Sequence, residues 1–251
     1  MMGTIGNEII RLHEVDSTNR YLMDWINREN VSEGTVVITD FQTAGRGTDG
    51  ARWESEQSKN LTFSLLLKPV FLAPEAQFYL NKVISLGLAD AVNELLPGRT
   101  DIRVKWPNDL YIGDRKVAGT LIQNGVKGSR FEFSILGIGL NVNQSRFTDD
   151  AANPVSLNQV SGKIFDLPGV LELVLKKIEA RYECLKKGDK TCVDADYLKV
   201  LYRFNEMARF IVKEKPVEAR ITGVNRYGQL ILEIPGSKIL ECDLKEVKFE
   251  I

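Results

Sequence analysis

The sequence predicts an α+β protein with a larger mixed domain over residues 1–207 and a small all-β domain over residues 208–251. Through the larger domain, apolar runs of strand length alternate with runs whose apolar residues recur at the helical period. From Arg209 onward, apolar residues alternate with polar ones, and turn residues stand at 225–228 and 235–236. This change of pattern near Ala208 predicts a terminal module of about four or five strands, which we expect to close into a small barrel.

The composition is typical of a soluble globular protein of the cytoplasm. The formal net charge is −1 at pH 7, so no overall basic field would gather nucleic acid. No apolar run reaches the roughly 20 residues of a membrane span, and the first residues do not resemble a signal peptide. Three scattered cysteines, Cys184, Cys192 and Cys242, favour a reducing compartment over a disulfide framework or a zinc site.

The chain begins with a predicted strand over residues 9–15, then a helix and a second strand. The first strand contains His13, the only histidine, which we interpret as an ordinary strand residue. The helix opens at Ser17, Thr18 and Asn19. These residue types either cap a helix N-terminus or direct hydrogen-bonding groups at a small polar ligand, and the sequence leaves both interpretations open. A second strand then leads into Gln42.

A glycine-rich loop follows this strand. It contains Gly45, Arg46, Gly47, Gly50, Arg52 and Trp53. Glycines allow close backbone approach, and backbone N–H groups with guanidinium forks bind phosphates, so the loop is predicted to bind an anion. A tight surface turn is the structural alternative. The glycine spacing also fits a dinucleotide fingerprint, but no helix begins at the third glycine and no acid follows about 20 residues later.

A long helix separates this loop from a predicted β-hairpin over residues 102–123. The hairpin sets Lys105, Asp109 and Lys116 among apolar residues. A surface hairpin would also carry charges, but Gly119 would leave room for a ligand beside Lys116. The hairpin is therefore a second candidate part of a site.

Two further glycines mark the next strand. It is predicted over residues 131–136, ending before Gly137 and Gly139, and these glycines indicate close approach of another group to the backbone. Asn141 suits a metal or amide contact and is also common in turns. Residues 148–162 are predicted to form a polar loop, which two helices follow.

Five segments, taken together, resemble the biotin protein ligases. They are DSTN at 16–19, QTAGRG at 42–47 with Trp53, KWPNDL at 105–110, DRKVAG at 114–119 and GIGLNVN at 137–143. Their order and spacing match that family from Ile9 to Asn143. The resemblance implies a mixed β-sheet flanked by helices, a class II synthetase-like biotin/lipoate ligase fold, joined to a small SH3-like C-terminal β-barrel.

The resemblance also implies a two-step reaction. The carboxylate of biotin attacks the α-phosphate of ATP, bound with Mg²⁺, to give biotinyl-5′-adenylate and pyrophosphate. A lysine of a biotin carboxyl carrier domain then attacks the acyl group and expels AMP. A cytoplasmic monomer or homodimer is expected, without nucleic acid or membrane as partner.

The family's functional residues carry over by motif. The implied biotin contacts are Ser17, Thr18, Asn19, Gln42, Gly45, Arg46, Gly47, Lys116, Gly119 and Gly139. The implied ATP or adenylate contacts are Arg46, Gly47, Thr48, Trp53, Asn108, Asp109, Lys116 and Asn141. Arg46 and Lys116 would be the catalytic cations, and Asp109 a metal ligand.

Two departures from the family pattern accompany the resemblance. Many members carry arginine in the loop where this chain has Thr48 and Asp49, a change that puts retention of the adenylate in doubt unless Arg52 substitutes. Some members have an N-terminal DNA-binding winged helix, and we expect a form without it.

Two alternative functions remain. A lipoate or octanoate ligase has a related fold, but the motif typical of those enzymes, an Arg-Arg-x-Ser-Gly-Gly-Gly sequence with a nearby histidine, is missing from this sequence. A non-catalytic biotin- or nucleotide-binding module is the other alternative, although Arg46 and Lys116 are both retained.

Overall fold

The computed structural model describes residues 4–47, 50, 52–148, 153–236 and 239–250. The strands of the larger sheet are β1 (Ile9–Val15), β2 (Val36–Gln42), β3 (Leu61–Leu67), β4 (Ile102–Lys105), β5 (Asp109–Ile112), β6 (Arg115–Lys127) and β7 (Arg130–Leu140). The helices are α1 (Thr18–Ile26), α2 (Phe78–Leu95), α3 (Leu157–Ser161), α4 (Leu167–Lys186) and α5 (Lys190–Val200). The second sheet contains β8 (Met207–Val212), β9 (Lys215–Val224), β10 (Leu230–Glu233), β11 (Ile239–Cys242) and β12 (Val247–Phe249).

The larger sheet has seven strands in the order β1-β2-β3-β7-β6-β5-β4. Only the β1–β2 pair is parallel, so the sheet is mixed, as predicted. The sequence of β3 is almost continuously apolar because both of its faces are covered. Leu65 packs into the main core with α2 and α4, whereas Leu66 packs with Leu22 of α1 on the opposite face.

The C-terminal strands form a five-stranded antiparallel sheet in the order β11-β10-β9-β8-β12. This arrangement is consistent with the predicted SH3-like module. Its first strand begins at Met207, and we keep the domain boundary near Ala208 as a proposal. Within the described parts of the chain, no helix is long and apolar enough to cross a membrane.

The turn between β9 and β10 of the small sheet packs against the larger domain at Trp106 and at Phe78. The indole Nε1 of Trp106 donates a hydrogen bond to the Gly228 carbonyl at 2.9 Å. Gly228 has a φ of +92°, and a Cβ there would lie 2.4 Å from Phe78 of α2. Only glycine fits this turn, because both its backbone conformation and its distance to α2 exclude a side chain.

The structure corrects three sequence predictions. Residues 102–123, predicted as one hairpin, form the three antiparallel strands β4, β5 and β6, because the chain reverses at 106–108 as well as after Ile112. β7 continues to Leu140, so Gly137 and Gly139 lie inside the strand and not beyond its end. The predicted polar loop at 148–162 contains the short helix α3, which begins with a reciprocal capping box between Ser156 and Gln159. Ser-x-x-Gln is a sequence signature of a helix start that the polar composition concealed.

Candidate active site

A cavity of about 50 Å³, partly open to solvent, lies on the α1 face of the larger sheet. The predicted biotin-contact residues that line it are Ser17, Thr18, Asn19, Gln42, Gly119 and Gly139. The predicted charged and nucleotide-side residues that line it are Arg46, Gly47, Trp53, Asp109 and Lys116. The fold therefore brings residues from distant segments of the sequence to one cavity.

Glycines of β6 and β7 form the floor of this cavity, so no side chain of their own covers the backbone there. Gly119 on β6 is paired with Gly139 on β7, and Gly139 is paired with Thr62 on β3. A Cβ on Gly139 would lie 2.2 Å from the Trp53 ring, so the indole rests directly against the backbone. A Cβ on Gly137 would lie 2.4 Å from the Asn19 side chain. The glycines are therefore needed for these two close approaches.

A polar network forms one wall, where α1 begins. The backbone N–H and the hydroxyl of Thr18 both donate to Gln42 Oε1, at 2.8 and 3.1 Å. The Ser64 hydroxyl lies 2.7 Å from Thr18 Oγ1 and 2.5 Å from Asn19 Oδ1. Asn19 Nδ2 donates to Gln123 at 3.1 Å. These bonds hold the side chains in fixed orientations before any ligand binds.

The same wall decides between the two interpretations of the helix start. Ser17 occupies the N-cap position in an extended conformation, but its side chain makes no capping hydrogen bond. Its side chain lines the cavity instead. This placement favours the ligand-directed interpretation for Ser17.

The opposite side of the cavity carries the charged groups. Lys116 Nζ lies 2.7 Å from Asp109 Oδ2, and each side chain is 26% exposed. The Lys116 ammonium also lies 5.8 Å from the Trp53 ring centroid. Its backbone is fixed by hydrogen bonds between Lys116 N and Asn153 O, and between Val155 N and Lys116 O. Lys116 is therefore held beside the cavity by both its main chain and its side chain.

The glycine loop turns back on itself above the cavity. Trp53 N donates to Gly45 O at 3.1 Å, and Arg46 pairs with Arg52 as an antiparallel bridge. Both arginines are exposed, and no ion pair joins either of them to a carboxylate of the described residues. Thr48, a predicted nucleotide contact, and Asp49 lie outside the described residues.

Three predicted residues lie outside the lining of the cavity. Gly45 is buried under the loop, with room for no side chain, since a Cβ would lie 2.8 Å from Gln42 Nε2. Asn108 donates to the Thr120 carbonyl at 3.1 Å and lies in a neighbouring cavity. Asn141 donates to the Val155 carbonyl at 3.1 Å. In this structure Asn108 bonds to β6 and Asn141 to the segment that precedes α3, and their nucleotide contacts remain predictions.

Sequence reasoning did not include Thr62 and Ser64 in the site. They are the only polar residues in the apolar strand β3, and their spacing of two places them on one face. That face is the one that Leu66 presents to α1, so the cavity begins where the helix no longer covers the strand. A polar pair at this spacing in a buried strand is the signal that could have identified them.

Lys105 lies between the larger sheet and the small one. Its Nζ is 5.0 Å from the ring centroid of Tyr111 and 5.1 Å from that of Phe249. Burial lowers the pKa of Lys105, and the nearby Asp109 carboxylate only partly opposes this effect. Lys105 also lines a cavity that includes Asp109 and Leu244. It is a second cation close to Asp109, on the side away from the polar wall.

The comparisons with known proteins agree with this fold. The sequence profile of the "Biotin/lipoate A/B protein ligase family" matches residues 12–141. The chain is 29% identical to "Bifunctional ligase/repressor BirA" of Escherichia coli (strain K12) over 92% of this chain and 71% of that protein. It is 27% identical to "Biotin--[acetyl-CoA-carboxylase] ligase" of Mycobacterium tuberculosis over 83% of this chain and 76% of that protein.

A solved structure extends the similarity to almost the full chain. "Biotin protein ligase from Aquifex aeolicus in complex with biotin and ATP" superposes with a TM-score of 0.80 and 29% identity, covering 97% of this chain and 99% of that one. The resemblance found in the sequence motifs is thus confirmed by the profile, the relatives and the fold. Since the family profile spans about half of the sequence and includes the cavity-lining segments of β2, β3, β6 and β7, this chain belongs to the biotin/lipoate A/B protein ligase family.

Proposed function

We propose that this chain is an ATP-dependent biotin protein ligase, which attaches biotin to a lysine of a biotin carboxyl carrier domain through a biotinyl-5′-adenylate. The observation that carries the proposal is the composition of one cavity, which joins an ordered polar wall to a pair of cations. The similarity to a ligase solved with biotin and ATP supports the same assignment.

The polar wall suits the head group of biotin. Biotin's ureido group offers one carbonyl acceptor and two N–H donors, and Ser17, Thr18 and Gln42 provide hydroxyl and amide groups of both kinds. The Trp53 indole gives an apolar surface beside the glycine floor for the rest of the bicyclic ring. A head group held at the wall would direct the carboxylate of biotin towards Lys116.

The cations suit the first chemical step. In that step the biotin carboxylate attacks the α-phosphate and the P–O bond to pyrophosphate breaks. Negative charge accumulates on the phosphate oxygens, and donors that are already in position stabilise it without reorganisation. Lys116 is positioned by Asp109, and Arg46 has a free guanidinium fork among the described residues that could reach the same phosphate.

Magnesium is proposed to arrive as part of the ATP substrate. Asp109 is the only carboxylate among the described residues that line the cavity. It uses Oδ2 for Lys116, which leaves Oδ1 as an oxygen ligand of the kind Mg²⁺ accepts. One carboxylate together with substrate phosphates is a usual magnesium environment. Lys105, on the far side of Asp109, is then placed to bind the β- and γ-phosphates.

In the second step the neutral amine of the carrier lysine attacks the acyl carbon. The C–N bond forms, AMP leaves with the electron pair of the broken acyl–phosphate bond, and the nitrogen releases one proton to solvent. The cavity is open on one side, which gives the carrier lysine a route to the carbonyl carbon. Lys116 and Arg46 would stabilise the departing phosphate as they do in the first step.

The decisive test is ATP–pyrophosphate exchange in four reactions, with biotin, with lipoate, with neither acid, and with biotin but no Mg²⁺. Exchange that depends on both biotin and Mg²⁺ is expected, followed by a mass increase of one biotinyl group on an added carrier domain. Exchange only with lipoate would assign the chain to the other branch of its family. If no acid supports exchange while biotin binds in calorimetry, the chain is a non-catalytic binding module.

A further inference from the structure

Two of the three cysteines, which are scattered in the sequence, meet at the corner between α4 and α5. Cys184 is near the end of α4, Asp189 caps the start of α5, and Cys192 is in its first turn. Gly188 makes the sharp turn between them with a φ of +87°. One ligand atom from each of Cys184, Asp189 and Cys192 lies within 4.8 Å of the other two.

The geometry at this corner is close to that required by a tetrahedral metal ion. Bonds of about 2.0–2.3 Å to sulfur and oxygen place neighbouring ligand atoms about 3.3–3.8 Å apart. Cys184 Sγ lies 4.0 Å from Asp189 Oδ2. The other carboxylate oxygen, Oδ1, accepts the backbone N–H of Cys192 at 3.1 Å, so the N-cap bond holds the carboxylate in position. Small side-chain rotations would therefore complete the coordination.

Asp196 lies next to the three candidate ligands and contacts Cys192. Its Oδ2 lies 3.8 Å from Cys192 Sγ, but both of its oxygens are already engaged, one by Arg181 at 2.7 Å and one by Lys199 at 2.9 Å. We therefore assign Asp196 to the outer layer and leave a fourth coordination position open to solvent, since Cys192 is exposed. Two thiolates and one carboxylate select a thiophilic cation and disfavour Mg²⁺ or Ca²⁺, which prefer oxygen ligands.

We propose that Cys184, Asp189 and Cys192 form a binding site for a thiophilic divalent cation of the Zn²⁺ class, separate from the ligase cavity. The cation would join the end of α4 to the start of α5. α5 in turn supports the segment that carries Asn108 and Asp109, since the Tyr197 hydroxyl donates to the Pro107 carbonyl at 3.0 Å. The site would therefore stabilise a corner of the scaffold without contacting biotin or ATP.

The test uses CdCl₂ as a spectroscopic probe and ZnCl₂ as the stabilising ion, with the full chain kept reduced by a phosphine. Titration with CdCl₂ should produce the ultraviolet charge-transfer band of cadmium thiolate, saturating at one ion per chain. The band should be lost in Cys184→Ser and in Cys192→Ser. It should persist in Cys242→Ala, which removes a cysteine from the core of the small sheet and serves as the matched control.

A second variant separates coordination from folding. Asn caps helices as well as Asp does, so Asp189→Asn should preserve α5 while it weakens cadmium affinity, because a neutral amide replaces a charged carboxylate ligand. ZnCl₂ should raise the Tm of the wild type but not of Cys192→Ser, with circular dichroism showing equal helix content. The proposal is overturned if no band forms, if the band survives in Cys192→Ser, or if Asp189→Asn binds cadmium as tightly as the wild type.

Discussion

The Lys116 ammonium and the Asp109 carboxylate form an ion pair of 2.7 Å at the edge of the cavity, between β6 and β5. The pair is half-shielded from water, so it fixes the direction of the Lys116 side chain before a substrate arrives. Asp109 lies between two lysines, Lys116, which lines the cavity, and Lys105, its register partner on β4, which faces the small sheet.

Replacing Lys116 should impair the adenylation step. Lys116→Ala is expected to lower biotin-dependent pyrophosphate exchange by about 10²–10³-fold, the effect of losing one donor that stabilises charge in the transition state. Lys127→Ala, on the exposed end of the same strand, is the control and should exchange at the wild-type rate. Equal rates in both variants would remove Lys116 from the mechanism.

We expect Lys105 to contribute to the binding of ATP and not to the binding of biotin. Lys105→Met is expected to raise the KM for ATP in the exchange assay, because a cation proposed to face the β- and γ-phosphates is lost, while calorimetry gives an unchanged Kd for biotin. A parallel loss of biotin affinity would place Lys105 in the structural support of the cavity instead.

The difference in free energy of unfolding between the wild type and Lys105→Met should depend on pH, and its direction follows from the pKa of Lys105. Burial lowers the pKa of Lys105 in the folded chain, so the unfolded chain binds more protons between the lowered pKa and the ordinary value of 10.5. Stability that depends on Lys105 therefore rises with pH across that window. In chemical denaturation, the wild type should gain free energy of unfolding relative to Lys105→Met as the pH approaches 10.5. A gap between the two proteins that does not change with pH would contradict the lowered pKa.

Replacing Gly119 should weaken biotin binding more than it lowers the stability of the fold. A Cβ there would meet side chains and no backbone: Lys116 Cε at 3.0 Å, Lys116 Nζ at 3.1 Å and the Trp53 ring at 3.1 Å. Valine suits a strand, so Gly119→Val should keep the Tm close to the wild-type value while it weakens biotin binding. Gly223→Val in β9, where the nearest atom lies 3.6 Å away, is the control. Loss of both Tm and binding would make Gly119 a structural glycine.

Trp53 carries a donor that lacks a partner. Its indole Nε1 is buried and has no hydrogen-bond acceptor among the described residues. A buried donor without an acceptor lowers stability, and a bound ligand that supplies the acceptor would remove this cost. Trp53→Phe should therefore leave the Tm without ligand undiminished and weaken binding of a non-hydrolysable biotinyl-adenylate analogue by about 0.5–1.5 kcal/mol.

The control for Trp53→Phe is Trp25→Phe. In the wild type, the Trp25 indole donates a hydrogen bond to Glu29 near the surface at 3.2 Å. It should bind the analogue like the wild type. Full affinity in Trp53→Phe as well would show that the ligand does not accept from this indole.

The contact between the β9–β10 turn of the small sheet and α2 of the larger domain can be disrupted at Gly228. Gly228→Ala places a methyl group 2.4 Å from Phe78, whereas Gly236→Ala has a similar positive φ but no atom within 4 Å. Both variants carry the same backbone strain, so a difference between them reports the docking. We expect Gly228→Ala to lower transfer of biotin to the carrier and to leave biotin affinity unchanged. Identical activity in the two variants would show that docking is not needed.

Most elements of the fold were predictable because their patterns are local. The first strand, Ile9–Val15, was predicted with its observed bounds, and the helical stripe of α2 and the period-two strands after Arg209 followed from burial on one face. The end of β7 was missed because glycine usually interrupts strands. There the close approach of Asn19 and Trp53 requires it inside one.

The candidate site was predictable only where the motifs are explicit. Motif resemblance placed Lys116, Gln42 and Gly119 in the same site, and the structure puts all of them around one cavity. Ser64 was missed because its role depends on which strand is its neighbour in the sheet, and strand order is not encoded in any local period. The meeting of Cys184 with Cys192 was missed for a related reason, since it depends on the direction of the turn between two helices.

The glycine floor has a consequence for how this protein folds. Thr62, Gly139 and Gly119 lie side by side on three central strands, yet long stretches of chain separate β3 from β6. Such non-local pairing closes late, because the entropy of large loops must be lost first. Binding competence should therefore appear only when the whole central sheet has formed. By linkage, a ligand seated on this floor slows hydrogen exchange throughout the sheet and not merely at the atoms it touches.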